Sequence, residues 1–242
     1  MGRITALTAV ALELLRRKKN VLMLDTDLEA PGLSTFFFPA DDAGYIRKGT
    51  VDYLQEKSMN PNTPMNMSDY IIPLTSPVYM ENGMGNLYLV SGGKLNDEFL
   101  LKLARIDSQE LVGENLKKNL VQLLKDCCEA LKGSGGIDYI LIDSRAGFHD
   151  MAGVVTAQIP HGIVLFGKDS FQSWFGIQQA VRTIATSQAD KPFAIMVDSA
   201  CGVNGIVSEE EKEHFRQKSY EVFCSDYYDN DMQPGIRASR EA

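Results

Sequence analysis

Two runs of this chain are apolar at every position up to the aspartate that ends them: VLMLD at 21–25 and YILID at 139–143. A strand with one wet face alternates apolar and polar residues, whereas these runs do not alternate, so each reads as a strand covered on both faces. A sheet interior flanked by helices on both sides satisfies that requirement. Helical spacing follows or precedes each run. Residues 5–19 (TALTAVALELLRRKK) repeat apolar positions on one face and use good helix formers. Further helices are expected over 49–57, 96–106, 108–132, 173–187 and 208–223, and further strands over 69–74, 86–93, 162–167 and 192–197. Residues 58–69 read as a loop, and GSGG at 133–136 as a turn. Strand and helix alternate, so the expectation is an α/β fold: a doubly wound, mostly parallel sheet with helices on both faces. One domain is expected over 1–224, with a polar tail over 225–242.

Composition narrows what such a fold does. Of 242 residues, 44% are apolar and 23% charged, close to globular averages, so a core is affordable. The formal net charge of −8 argues against bulk nucleic-acid binding, which needs a basic stripe to release counterions. The basic run Arg16, Arg17, Lys18 and Lys19 is read as the solvated end of a helix, where cations suit the dipole. No apolar run is long enough to span a bilayer, and the first apolar segment ends in charges rather than in a cleavage site. Cys127, Cys128, Cys201 and Cys224 show no CxxC spacing and read as reduced thiols, which fits a cytoplasmic location. His149, His161 and His214 are scattered and form no metal set.

In open α/β sheets ligands bind beyond the carboxyl ends of the strands. Asp25 and Asp27 are two apart and face one side if the strand continues through them. Asp143 ends a different strand. Carboxylates at such ends are hard oxygen ligands suited to Mg²⁺, directly or through water. Gly147 lies just beyond Asp143, where a missing Cβ admits a backbone N–H to a phosphate. A helix N-terminus at Thr5 adds free N–H groups and a favourable dipole for an anion. Each feature alone is weak. An aspartate ending a strand is often only a cap. Jointly they describe a phosphate–magnesium site.

These segments resemble the ParA/MinD family of P-loop ATPases, whose deviant Walker A motif reads K-G-G-x-G-[KR]-[ST]. The nearest subgroup reads KGGVGR, continues through a helix to VLxxDxDLEAPGL, and later carries DYxLIDSRxGxxD. This chain has GRITAL at 2–7, VLMLDTDLEAPGL at 21–33 and DYILIDSRAGFHD at 138–150. GTVDYL at 49–54, LYLVSGG at 87–93 and the stretch from Gln172 to Gly176 also fit, so the likeness runs from Gly2 to about Val197.

The resemblance implies roles. Gly2 would be the last glycine of the phosphate loop. Arg3 would take the lysine position and contact the β- and γ-phosphates. Asp27 would place the attacking water or the hydration shell of Mg²⁺. Asp143 would be the Walker B carboxylate holding Mg²⁺ through water, Gly147 the second-switch glycine, and Asp198 and Ser199 the neighbours of the adenine base. The activity implied is a Mg-ATP-dependent switch ATPase that hydrolyses the γ-phosphate and forms a homodimer with nucleotide. An unidentified protein partner would complete such a switch.

The departures are equally informative. Residue 4 is Ile where the family has the Thr or Ser that ligates Mg²⁺, and isoleucine has no oxygen to offer. Thr5 is one position off: it either approaches the α-phosphate or, with a one-residue shift, takes the hydroxyl's place. Relative to the motif, the first strand and K-G-G-x lie outside the sequence, so the expectation is an N-terminally truncated domain with its first strand missing. The alternative reading is a non-catalytic, degenerate nucleotide-fold protein acting as an interaction module, or an inactive gene fragment. A nicotinamide-dependent oxidoreductase is disfavoured, because no G-x-G-x-x-G joins a strand to a helix.

Overall fold

The computed structural model describes residues 2–38, 43–75, 83–108, 114–144, 153, 155, 158–187, 191–199 and 208–228. These divide into two compact units, Met1–Val155 and Thr156–Ala242.

The first unit is built on a four-stranded sheet in the order β2 (Ile72–Pro73), β3, β1 and β4. Strand β1 (Val21–Asp25) lies between β3 (Leu87–Val90) and β4 (Tyr139–Asp143) and is parallel to both. Its odd-numbered side chains point to one face and its even-numbered ones to the other, as the period of a strand requires. Val21 and Met23 join Ala11 and Leu15 of α1 (Gly2–Arg16), Leu33 of α2 (Leu33–Phe37), and Leu87 and Leu89. Leu22 and Leu24 join Tyr53 of α3 (Thr50–Met59), and Leu123, Cys127 and Leu131 of α5 (Glu114–Leu131). Helices therefore cover both faces, as the unbroken apolar run predicts. Each fully buried Leu contributes about 1.5–3 kcal/mol. Amphipathic α4 (Asp97–Ser108) lies beside α3, where Lys102 Nζ donates to Asp52 Oδ1 at 2.9 Å.

The amino end of this sheet is tied by Asn20. Its backbone N–H donates to Asp138 Oδ2 at 2.8 Å, its Nδ2 to the Gly136 carbonyl at 3.0 Å, and its Oδ1 accepts from the Asn86 N–H at 2.9 Å. One side chain thus aligns the starts of β1, β3 and β4. The turn over 133–136 is present: a 3₁₀ turn at Lys132–Ser134 leads into Gly135 and Gly136, both at positive φ (96° and 72°), a region glycine enters without a Cβ clash.

Three local expectations change. The first helix starts at Gly2, three residues before Thr5, so Gly2 and Arg3 are helical rather than part of a loop. The strand expected over 69–74 shrinks to β2 (Ile72–Pro73), antiparallel to β3; a 3₁₀ turn at Met67–Asp69 precedes it and Pro73 lacks the N–H to extend the ladder. Short helix α2 forms where the sequence carries no helix expectation.

The second unit pairs β5 (Gly162–Gly167) and β6 (Phe193–Asp198) in parallel. Helices α6 (Phe171–Ser187) and α7 (Glu209–Asp226) cover one face, packing Trp174, Ile177, Val181, Phe215 and Phe223 with Ile163, Leu165, Ala194 and Met196. Helix α7 is opened by Ser208, whose Oγ accepts the Glu211 N–H at 3.2 Å while Glu211 accepts the Ser208 N–H at 2.8 Å. That reciprocal pair satisfies two otherwise orphaned donors. Helix α7 runs to Asp226, two residues into the tail expected from 225, and Tyr227 is buried against Phe223.

Candidate functional site: an arginine between two strand-end aspartates

The carboxyl ends of β1 and β4 lie side by side, with Asp25 in register with Asp143. The ladder continues one step past the strand: Thr26 N–H and Thr26 Oγ1 both donate to the Asp143 carbonyl, at 2.9 and 2.7 Å. Asp25, Asp27 and Asp143 are all buried. Three carboxylates so close in a low dielectric require compensation.

Arg3, in the first turn of α1, supplies part of it. Its Nε donates to Asp143 Oδ1 at 2.5 Å and its Nη2 to Asp143 Oδ2 at 3.2 Å, a two-pronged grip that suits the planar guanidinium. The same Nη2 donates to Asp27 Oδ2 at 2.8 Å. Burial works against the guanidinium charge, but its bonds to Asp143 and Asp27 outweigh that and raise its pKa above the ordinary value. Arg3 retains 33% side-chain exposure, so the ion triad sits at the mouth of the site. The other oxygen of Asp27 accepts the Ala30 N–H at 3.3 Å.

Asp25 behaves differently from the expectation that it shares a side with Asp27. The strand stops at Asp25, and its carboxylate turns to backbone instead: Oδ1 accepts the Asp27 N–H and Oδ2 the Leu33 N–H, each at 3.1 Å. Burial, more than the neighbouring charges of Asp143 and Asp27, pushes its pKa up to about 7.

Around this group lie residues that sequence reasoning passed over. Thr50, the first residue of α3, donates its hydroxyl to the Asp25 carbonyl at 2.7 Å and its N–H to the Ser91 carbonyl at 2.8 Å. Gly49 before it has no room for a side chain, because a Cβ would sit 2.4 Å from the Ser91 carbonyl. Gly49 N–H is held by Asp52 Oδ2 at 2.8 Å. Ser91 is fully buried, and its hydroxyl has no hydrogen-bond partner among the described residues. The sequence signals available were the glycines in KGTVD and SGG, which mark close backbone approach.

The remaining expected site residues fall as follows. Ile4 packs into the core on the α1 face of the sheet, and a Cβ on Gly32 would lie 2.9 Å from its Cδ1. Thr5 is exposed on α1. Gly147, with Arg145, His149 and Asp150, lies outside the described residues. Asp198 ends β6 in the second unit, where Ser199 N–H and hydroxyl both bind the Gly167 carbonyl, at 2.6 and 2.7 Å. An open groove of about 430 Å³ at the carboxyl ends of β5 and β6 is lined by Lys168, Ser170, Ser173 and Ser199 among others. Trp174 packs inward and donates to Asp169 Oδ1 at 2.7 Å, whereas Phe175 is exposed.

Among the described residues no three acidic, histidine or cysteine side chains converge as a ready metal cage. The donor chemistry of Asp27 and Asp143 nevertheless fits a hard divalent cation, because both already turn oxygens onto one cationic group.

No family profile and no curated protein matches the chain by sequence. Solved structures do match by shape. The septum site-determining protein MinD of Pyrococcus horikoshii, complexed with Mg-ADP, superposes with a TM-score of 0.54 at 18% identity, over 88% of this chain and 71% of that one. Cobyrinic acid a,c-diamide synthase of Mycobacterium smegmatis, with a bound ATP analogue and magnesium, gives 0.58 at 14% identity over 94% and 78%. The pNOB8 ParA gives 0.57 at 12% identity over 96% and 74%, and has also been solved on nonspecific DNA. The chain shares the fold of these ParA/MinD-type structures.

Proposed function

We propose that the chain is a Mg-nucleotide-dependent switch of the ParA/MinD type, with its site at the carboxyl ends of β1 and β4. The observation that carries this reading is the position of Arg3 between Asp27 and Asp143. A cationic side chain at the start of a helix, facing one carboxylate at a strand end and another in the loop after a neighbouring strand, is the minimal equipment for neutralising a polyphosphate and its metal.

In this reading Asp143 and Asp27 would hold Mg²⁺, which when bound would draw charge from the transferring phosphoryl group. Arg3 releases the carboxylates and turns to the β- and γ-phosphates, at the end of α1 where its 33% exposure leaves it room to move. Asp27 then orients the attacking water. The Gly2 backbone and Thr5 lie at the same helix end and serve the phosphates, and Gly147 the γ-phosphate. Nucleotide-dependent homodimerisation and a protein partner belong to the same reading.

One observation favours a second reading. Ile4 stands where a metal-binding hydroxyl is needed, and it is committed to the core rather than to the site. A degenerate module that binds nucleotide without turning it over accommodates that substitution.

The deciding experiment measures Mg²⁺-dependent ATP binding and phosphate release by the wild type and by Asp143→Ala. Turnover that falls at least about 100-fold in the variant supports the switch ATPase. Tight binding with no turnover in either protein selects the degenerate module, and turnover indifferent to Asp143→Ala overturns the assignment of the site.

A further inference from the structure

The loop over 26–33 carries Asp27, and Asp27 does not hold itself in place. Its Oδ2 is taken by Arg3, and among the described residues its Oδ1 reaches only the Ala30 N–H, at 3.3 Å. The loop is instead gripped at both ends by one group. Asp25 accepts the N–H of residue 27 near the loop's start and the N–H of residue 33 at its end. The second bond does the work of a helix cap, since Gly32 at the head of α2 makes no side-chain capping bond. Asp25 is itself immobilised, being fully buried, with its carbonyl held by Thr50 Oγ1. The loop also lies directly on the end of β3: a Cβ on Gly92 would meet Pro31 Cβ at 2.7 Å and Asp25 Cγ at 3.7 Å. Gly92 therefore permits the close approach that lets a short aspartate span the loop.

We propose that Asp25 is a positioning residue: its side chain staples the 26–33 loop at both ends and so fixes Asp27 where it meets Arg3. It touches neither phosphate nor metal and acts only through Asp27. Removing it leaves two backbone donors without their acceptor, and the loop reopens to satisfy them from water. This inference deepens the nucleotide-switch reading of the site and, in its kinetic arm, rests on that reading.

The test has two arms on the full chain. Amide hydrogen exchange in Asp25→Ala should accelerate at residues 27 and 33 by about tenfold or more, while residues 22–24 of β1 keep their protection. Asp25→Asn retains the volume and a single acceptor oxygen, so it should free one of the two amides; it carries the test if the alanine variant does not fold. Unchanged protection at both amides in the folded variants overturns the proposal. In the kinetic arm, Asp25→Ala should lower kcat at least about tenfold and move KM less than about threefold. Added to Asp27→Ala, it should have no further effect, because a residue acting only through Asp27 has nothing left to position. Multiplicative losses in the double variant overturn the proposal. A wild type without Mg-ATP turnover refutes the switch-ATPase reading, while the exchange arm still decides Asp25.

Discussion

Strands β1 and β4 are nearly the same word, VLMLD and YILID, and they meet different fates. Every residue of β1 is buried, whereas β4, which among the described residues pairs only with β1, runs from an exposed Tyr139 through half-buried Ile140, Leu141 and Ile142. Their terminal aspartates sit in register, yet Asp25 turns inward to backbone donors and Asp143 outward to Arg3. Local sequence therefore specifies a strand that ends in a carboxylate. Neighbours decide whether that carboxylate becomes architecture or chemistry.

The largest expected effect tests the burial side of this contrast. Leu22→Ala in β1 should cost about 4 kcal/mol, because Leu22 is fully enclosed between β3, β4 and the helices of its face. Leu141→Ala in β4 should cost about 2 kcal/mol, since Leu141 is only partly covered. Urea denaturation of both variants measures the difference. Equal costs would mean that β4 is as enclosed in solution as β1, and the contrast would fail.

Next in size is the chemical side. Arg3→Gln leaves Asp143, whose side chain is fully buried, facing Asp27 without a counter-charge. Breaking a buried pair costs about 3–5 kcal/mol, and the partial exposure of Arg3 reduces this to about 1–3 kcal/mol. Arg3→Lys keeps the charge but cannot grip Asp143 with two prongs while reaching Asp27, so its loss should be smaller. Thermal melts of the two variants should rank wild type, Lys, Gln. A Gln variant as stable as wild type would show that the triad contributes nothing to the fold and would leave Arg3 a purely functional role.

Much of this was legible in the residues. The parallel order follows from the two unbroken apolar runs, and the motifs name Arg3, Asp27 and Asp143 as residues of one candidate site, although nothing in them shows that Arg3 pairs with both carboxylates. What escaped was set by tertiary contact. The helix over 33–37 has a glycine at its head, and its cap comes from Asp25, eight residues back. The early start of α1 at Gly2 has no local cap signal either; Arg3 is anchored across 140 residues by Asp143. The exposed side of β4 was also hidden, because YILID reads as a buried strand whoever its neighbours are. The second unit repeats this lesson: GIVLFG and FAIMVD lack polar alternation, yet Val164, Phe193 and Ile195 stand roughly half exposed on the face opposite α6 and α7.

The smallest expected effect follows the inner face of β4 through a thiol. Cys127 of α5 is buried beside Leu22 and Leu24 of β1 and against Ile140 and Ile142 of β4, while Cys128 and Cys224 are part-exposed. Burial pushes the Cys127 thiol up to about 12, and alkylation needs the thiolate, so at pH 8 this residue reacts only when the core opens. Cys128 and Cys224 should therefore label first and Cys127 much later, by peptide-resolved mass spectrometry. Ile142→Val removes one methylene from the Cys127 side, a loss of about 1 kcal/mol, and should speed Cys127 labelling about fivefold without changing Cys128. The companion change Leu24→Val, on the same face but in β1, should accelerate Cys127 only through global unfolding and so move in step with the urea midpoint. If both variants move Cys127 in step with global stability, β4 opens with the rest of the sheet and its half-exposure has no dynamic consequence. If Ile142→Val alone runs ahead of it, β4 is the strand that opens first, and Asp143 sits at the end of the one mobile rail of the site.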